Sequence, residues 1–177
     1  MDAVAHRKSL ICNDFERLPI LLGHHMRLTR QTSYAIRTLM YLAVNSPDLS
    51  RVAEVAKAYS ISELFLFKLI KPLVENGMIE TVRGRHGGIR IGRPATTISL
   101  LDVVKLTEES FALAECFEDG DVSCPLSNAC DLNSALGEAL RAFFTVLESY
   151  TIADLTDKRR SIRDRLGIFD MPSIAAH

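Results

Sequence analysis

Two short alternating segments, Met78 to Val82 and Gly88 to Gly92, flank the run Arg83-Gly84-Arg85-His86-Gly87. Strand-like runs joined by a short glycine-containing stretch make a hairpin with a flexible tip, and this one comes directly after three helix patterns. Thr29 is placed to cap a helix from about Arg30 to Asn45, with Tyr34, Ile36, Leu39, Met40 and Leu42 as its apolar stripe. Ser46-Pro47-Asp48 is a turn signal. Ser50 then opens a second helix, Arg51 to Tyr59, with Val52, Val55 and Ala56 inward and Glu54 one residue beyond an ideal capping-box position. Ser62 caps a third, ending near Glu75 at Asn76-Gly77, with Leu66, Leu69, Ile70 and Leu73 on its buried side. Pro72 deprives that helix of one hydrogen bond and predicts a kink. Three helices followed by a basic hairpin describe a winged helix-turn-helix. The fold class expected is therefore mainly α with a small β-hairpin wing.

The remaining chain divides around that unit. Residues 1–25 show no sustained period and read as a disordered extension or a mis-assigned start, with Met26 as an alternative first residue and Cys12 as a bystander. Residues 26–97 form the winged helix-turn-helix domain. Residues 98–130 hold a linking helix, Leu100 to about Glu108 after the cap Ser99, and then an irregular cysteine-bearing loop. Residues 131–155 form a long dimerisation helix, Leu132 to Leu155, with apolar residues at 136, 139, 143, 146 and 150. That 3-4 spacing is a coiled-coil seam, and Leu140, Phe144 and Leu147 widen it into a second apolar face. Residues 156–177 are a tail, charged and frayed from Lys158 onward. No apolar run reaches the roughly 18–20 residues needed to span a membrane, and no signal-peptide cleavage pattern is present. A cytoplasmic protein is expected, in which disulfides are not the default use of cysteine.

Charge is unevenly spread. Residues 26–93 carry 11 Lys/Arg against 5 Asp/Glu, whereas residues 94–177 carry 7 against 14. A basic amino-terminal half suits a polyanion such as double-stranded DNA. A recognition helix presents its amino-terminal residues to the major groove, and here the outward set is Ser62, Glu63, Phe67, Lys68 and Lys71. Phe67 lies off the buried stripe; it either contacts thymine methyl groups or packs with Phe65 under the wing. At the hairpin tip Arg83 and Arg85, with His86 beside them, suit a narrow minor groove, the alternative being a solvated basic turn. Arg27, Arg30 and Gln31 serve as phosphate clamps at the start of the first helix.

The second chemical signal is Cys116-x7-Cys124-x5-Cys130 in an acidic loop with Glu115, Glu118, Asp119, Asp121 and Asp131. Thiolates at such spacing can hold an iron–sulfur cluster. Paired C-x2-C knuckles are absent, and neither a fourth cysteine nor a nearby histidine closes a tetrahedral zinc site. The carboxylates disfavour bare thiolates, and a bound metal removes that penalty. Spacing alone leaves four uses open: a cluster, a zinc site completed by a carboxylate, an oxidation-driven disulfide, or structural cysteines.

With both halves placed, the chain resembles a family of dimeric bacterial winged-helix regulators with iron–sulfur clusters, the IscR, NsrR and RirA proteins. The resemblance starts at Met26-Arg27-Leu28-Thr29, continues through Tyr34-Ala35-Ile36-Arg37 and Ser62-Glu63-Leu64-Phe65-Leu66-Phe67-Lys68, and runs through Val82-Arg83-Gly84-Arg85-His86-Gly87-Gly88 to the three cysteines. It covers about residues 26–155. The Ser62–Lys68 run, the stretch from Ala114 to Gly120 and the x7/x5 spacing look most like the RirA branch, the rhizobial iron regulators. The resemblance implies a homodimer on a pseudopalindromic operator. It also implies a 4Fe–4S cluster on Cys116, Cys124 and Cys130, with 3Fe–4S or 2Fe–2S forms as breakdown products, and Arg83 as the wing arginine. Ser33 stands where NsrR-type proteins carry an aspartate, and Asn133 where IscR-type proteins carry a histidine, so the fourth ligand is left open.

The function expected is an iron-responsive repressor of iron-uptake genes, bound to its operator while the cluster is intact and released on its loss. The alternatives are a nitric oxide or redox sensor of the same family and a zinc-stabilised winged helix without sensing. An enzyme is not expected: the chain has no phosphate-cradling glycine loop and no C-x3-C-x2-C spacing.

Overall fold

The computed structural model of the chain describes residues 28–113 and 131–168. The expected extension, residues 1–25, and the last residues of the expected tail lie outside them.

Helix α1, Arg30–Asn45, is the centre of the molecule. Thr29 caps it as expected, its hydroxyl accepting the Thr32 N–H at 3.2 Å. Ala35, Leu39, Tyr41, Leu42 and Val44 are buried, a wider arc than the stripe read from the sequence. The reason is that α1 is covered from several sides: by the recognition helix and wing, by the linking helix, and by the carboxy-terminal helices. Tyr34, Ile36 and Met40 are only partly buried.

Helix α2, Val52–Ala58, starts one residue later than expected, and Ser50 is not its cap. Ser50 belongs to the wing instead. Its N–H donates to the Ile89 carbonyl oxygen at 2.9 Å, and the Ile89 N–H returns to the Ser50 oxygen at 2.8 Å. Once the Ser50 backbone is engaged this way, Arg51 becomes the cap residue. Glu54 then stands three residues on, its carboxylate accepting the Arg51 N–H at 2.9 Å. Tyr59, just past α2, donates its hydroxyl to the Arg37 carbonyl oxygen at 2.7 Å. Burial pushes the Tyr59 pKa up to about 12, so that donor keeps its proton.

Helix α3, Glu63–Glu75, is capped by Ser62, whose hydroxyl accepts the Phe65 N–H at 3.2 Å. It runs through Pro72 without interruption, and Gly77 (φ +66°) turns the chain into the wing. Strands β1, Ile79–Val82, and β2, Gly88–Ile91, pair antiparallel in the register Ile79 to Ile91 and Val82 to Gly88. Ile79 and Ile89 enter the core. On the opposite face Arg90 makes two hydrogen bonds to Glu80, at 2.9 and 3.0 Å, which hold the Glu80 carboxyl below its ordinary pKa.

A 3-10 turn, Ala95–Thr97, leads to the linking helix α4, Leu100–Thr107, closed at its start by reciprocal Ser99 and Asp102 hydrogen bonds. Helix α5, Asp131–Glu148, is shorter than the helix expected over Leu132 to Leu155. It stops because the next residues are held elsewhere. The Leu100 N–H donates to the Tyr150 carbonyl oxygen at 2.8 Å, and the Ile152 N–H to that of Ile98 at 2.9 Å. Thr151 and Asp154 then form a fresh capping box for α6, Ile152–Leu155, whose Ile152 is fully buried.

The segment from Lys158 is not frayed. It forms helix α7, Arg159–Leu166, ended by Gly167 in the left-handed region (φ +66°). Arg159 donates to the carbonyl oxygens of Val44, at 2.8 Å, and of Ser46, while Arg163 donates to that of Val44 at 3.0 Å. Two guanidinium groups thus satisfy carbonyls at the end of α1 that have no helical partner and sit at its negative pole. No described helix is long and apolar enough to cross a membrane.

Candidate nucleic-acid interface and its link to the cysteine segment

The outer face of α3 carries Ser62, Glu63, Phe67, Lys68 and Lys71, all exposed as expected. Phe67 keeps 54% of its surface in water, so the alternative in which it packs under the wing does not hold. Phe65 takes the inner role, meeting the Tyr34 ring edge-on at 5.7 Å. Leu64, which is not among the residues expected on this face, is 69% exposed, one turn before Phe67 and Lys68.

The wing tip presents Arg83, Arg85 and His86 to solvent. Its shape depends on glycine at two positions. Gly84 sits at φ +113°, and a Cβ on Gly87 would collide with the Val82 carbonyl oxygen. A Cβ on Gly88 would come within 2.6 Å of the Ser50 oxygen, so the wing backbone lies directly on the segment entering α2.

At the start of α1, Arg30 and Gln31 are exposed. The Arg30 guanidinium lies 5.8 Å from the Tyr34 ring centre and Arg37 lies 5.2 Å from it. Through Tyr34 and Phe65 the first helix is therefore braced against α3. Arg27 lies outside the described residues, as do Cys116, Cys124 and Cys130. Among the described residues no group of three or more His, Cys, Asp and Glu side chains could hold a metal ion.

What the structure does show is how the two ends of the cysteine segment are anchored. Glu108 follows α4 directly. Its carboxylate accepts the Thr29 N–H at 2.8 Å and the Thr29 hydroxyl at 3.1 Å, and it accepts the Thr32 hydroxyl as well. The Thr32 and Thr107 hydroxyls lie 2.7 Å apart in the buried layer beneath. A carboxylate at the amino end of α1 faces the helix's positive pole. The last residue of α4 and the first turn of α1 are thereby one unit. In the sequence Thr29 reads only as a cap and Glu108 has no visible role, because a contact spanning 79 positions leaves no local spacing signal.

On the other side, Cys130 immediately precedes the first residue of α5. None of the α5 residues is buried; Leu132 and Val146 are 60% and 49% exposed. Phe144 meets Phe111 edge-on at 4.9 Å, and this holds α5 beside the segment that follows α4. Leu28, Phe111, Leu113, Leu140 and Phe143 line an apolar cavity of about 250 Å³ next to that contact.

A model of the Rrf2 family, described as an iron-dependent transcriptional regulator, matches residues 28–158. The chain belongs to that family of transcriptional regulators. It is 59% identical over 143 residues to protein aau3 of Rhizobium meliloti strain 1021, a match covering 81% of this chain and 93% of that one. It is 44% identical over 142 residues to the HTH-type transcriptional regulator NsrR of Geobacillus kaustophilus, covering 80% and 97%. In fold it is similar to IscR of T. potens, with a TM-score of 0.62 at 20% identity over 78% of this chain and 91% of that one. The oxidized form of CymR from Staphylococcus aureus is comparable, with a TM-score of 0.60 at 24% identity over 73% and 95%. These neighbours bear out the winged-helix fold.

Proposed function

We propose that this Rrf2-family regulator is an iron-responsive repressor whose grip on operator DNA depends on an iron–sulfur cluster held by Cys116, Cys124 and Cys130. The observation that carries the reading is the continuity from the cysteine segment to the reading surface. Glu108, eight residues before Cys116, cannot move without disturbing Thr29 and Thr32 at the start of α1.

The donor chemistry suits such a cluster. Three thiols lie among Glu115, Glu118, Asp119, Asp121 and Asp131, carboxylates that disfavour free thiolates but are compatible with metal-bound ones. Cys116, Cys124 and Cys130 would hold the cluster, and a cluster bound by three thiolates would supply iron whose occupancy follows the iron supply. The protein's own residues do the rest. Glu108 ties the start of the cysteine segment to the amino end of α1, and α1 braces α3 through Tyr34 and Phe65. The open face of α5 pairs two copies, so that two α3 helices meet successive major grooves of one duplex. Lys68, Lys71, Arg83, Arg85 and Arg30 neutralise phosphates, with Arg83 and Arg85 at the minor groove.

The test uses full-length protein purified without oxygen, with iron and sulfide measured alongside binding to an operator duplex. Iron-loaded protein should bind, and an iron chelator should lower its affinity about a hundredfold, on the order of 3 kcal/mol. A triple Cys116→Ala, Cys124→Ala, Cys130→Ala variant should behave like the chelated protein. Stoichiometric zinc without iron would overturn the reading. The second reading is a nitric-oxide-responsive regulator of the same family, favoured by the similarity to regulators named NsrR. It predicts release by nitric oxide at concentrations that leave the chelator response slow.

A further inference from the structure

The recognition helix carries an apolar pair that nothing in the fold uses. Leu64 is 69% exposed and Phe67 is 54% exposed, although both lie in the first two turns of α3, where Leu66, Leu69, Ile70 and Leu73 already fill the core side. Large apolar side chains on a protein surface cost solubility unless a partner covers them. Their surroundings indicate which partner. Lys68 and Lys71 follow them on the same helix, and Arg83 and Arg85 stand on the adjoining wing, all exposed. Exposed cations on the same helix and on the adjoining wing suit a duplex, whose major groove offers only one apolar group, the thymine 5-methyl.

We infer that Leu64 and Phe67 together read the methyl groups of two neighbouring thymines in each half-site. This rests on the DNA-binding reading above and deepens it. Three residues of α-helix rise about 4.5 Å, close to the roughly 3.4 Å between successive bases, so the two side chains meet adjacent or nearly adjacent base pairs. Glu63, one position earlier and also exposed, accepts hydrogen bonds only and so favours a cytosine amino group beside them.

The probe is a duplex selected from a random library by the iron-loaded, full-length protein, then resynthesised with deoxyuridine replacing thymidine one position at a time. Removing one buried methyl should weaken binding about fourfold in one half-site, and about fifteenfold when both half-sites are changed. Two neighbouring positions should respond. Phe67→Ala should abolish the response at one and Leu64→Ala at the other, with unchanged thermal melts because both side chains are exposed. A flat deoxyuridine scan on a tightly bound duplex overturns this inference and leaves the regulator reading standing. Failure to select any duplex overturns both. If either variant alters the oligomeric state and leaves the scan unchanged, the pair covers a protein contact and the inference is wrong.

Discussion

The reading head and α5 solve opposite problems. In the head, Leu39, Leu42, Val55, Leu66, Leu69, Leu73 and Ile79 are enclosed by the chain's own helices and wing. Along α5 no residue is buried, although Leu136, Leu140, Phe143, Phe144 and Leu147 recur at helical spacing. The head is enclosed within a single copy, whereas among the described residues the apolar positions of α5 are only partly covered. Glu108 stands between them, attached to the head through Thr29 and Thr32 and leading into the cysteine segment.

Three substitutions would break or sharpen this contrast. The largest effect is expected in the head: Leu39→Ala, at a fully buried site, should destabilise the protein by about 2–5 kcal/mol in chemical denaturation and leave self-association at low denaturant unchanged. Val146→Glu should do the reverse. On the proposal that two copies pair through α5, it should raise the dissociation constant of that pair at least tenfold in sedimentation equilibrium, about 1.4 kcal/mol or more, with little change in the melt of the head. An unchanged association constant would remove α5 as the pairing surface. The smallest of the three energies is expected from Glu108→Ala, about 1 kcal/mol of stability for a partly exposed group. Its more informative readout is coupling: the ratio of operator affinities with and without iron should shrink. If that ratio is intact, signal does not pass through Glu108.

Local signals carry most of the head. The Thr29, Ser62 and Ser99 caps, the Asn76-Gly77 stop and the alternation on either side of the wing tip are all encoded within a few residues, and each is legible. Ser50 looks like a helix cap in its own neighbourhood, because the bond that claims it comes from Ile89, 39 positions away in the chain. The long helix extends too far in the sequence for a similar reason: Leu136 to Tyr150 keeps its apolar period, but the backbone at Tyr150 and Ile152 is engaged by Leu100 and Ile98. A stop signal is nonetheless present in Thr151-Ile152-Ala153-Asp154, a capping box inside the supposed helix. The charged tail conceals its order because arginines that bond to backbone carbonyls look, in sequence, like arginines in water. At the candidate interface the basic residues are legible from composition. Leu64 belongs to neither the buried stripe nor the outward set read from the sequence, because a leucine gives no local sign that it is exposed.

The Ser50–Ile89 pairing has a consequence for how this molecule measures DNA. The hairpin is stitched to the strand-like residue ahead of α2, and Gly88 rests on the Ser50 oxygen, so the wing and the entry to α2 are held together. Inserting a single base pair between two half-sites shifts the second by about 3.4 Å and roughly a tenth of a turn. On the proposed reading, in which two copies share one duplex, a wing tied to the entry of α2 would follow that shift only together with it, and discrimination between spacers would fall to the geometry of the pair.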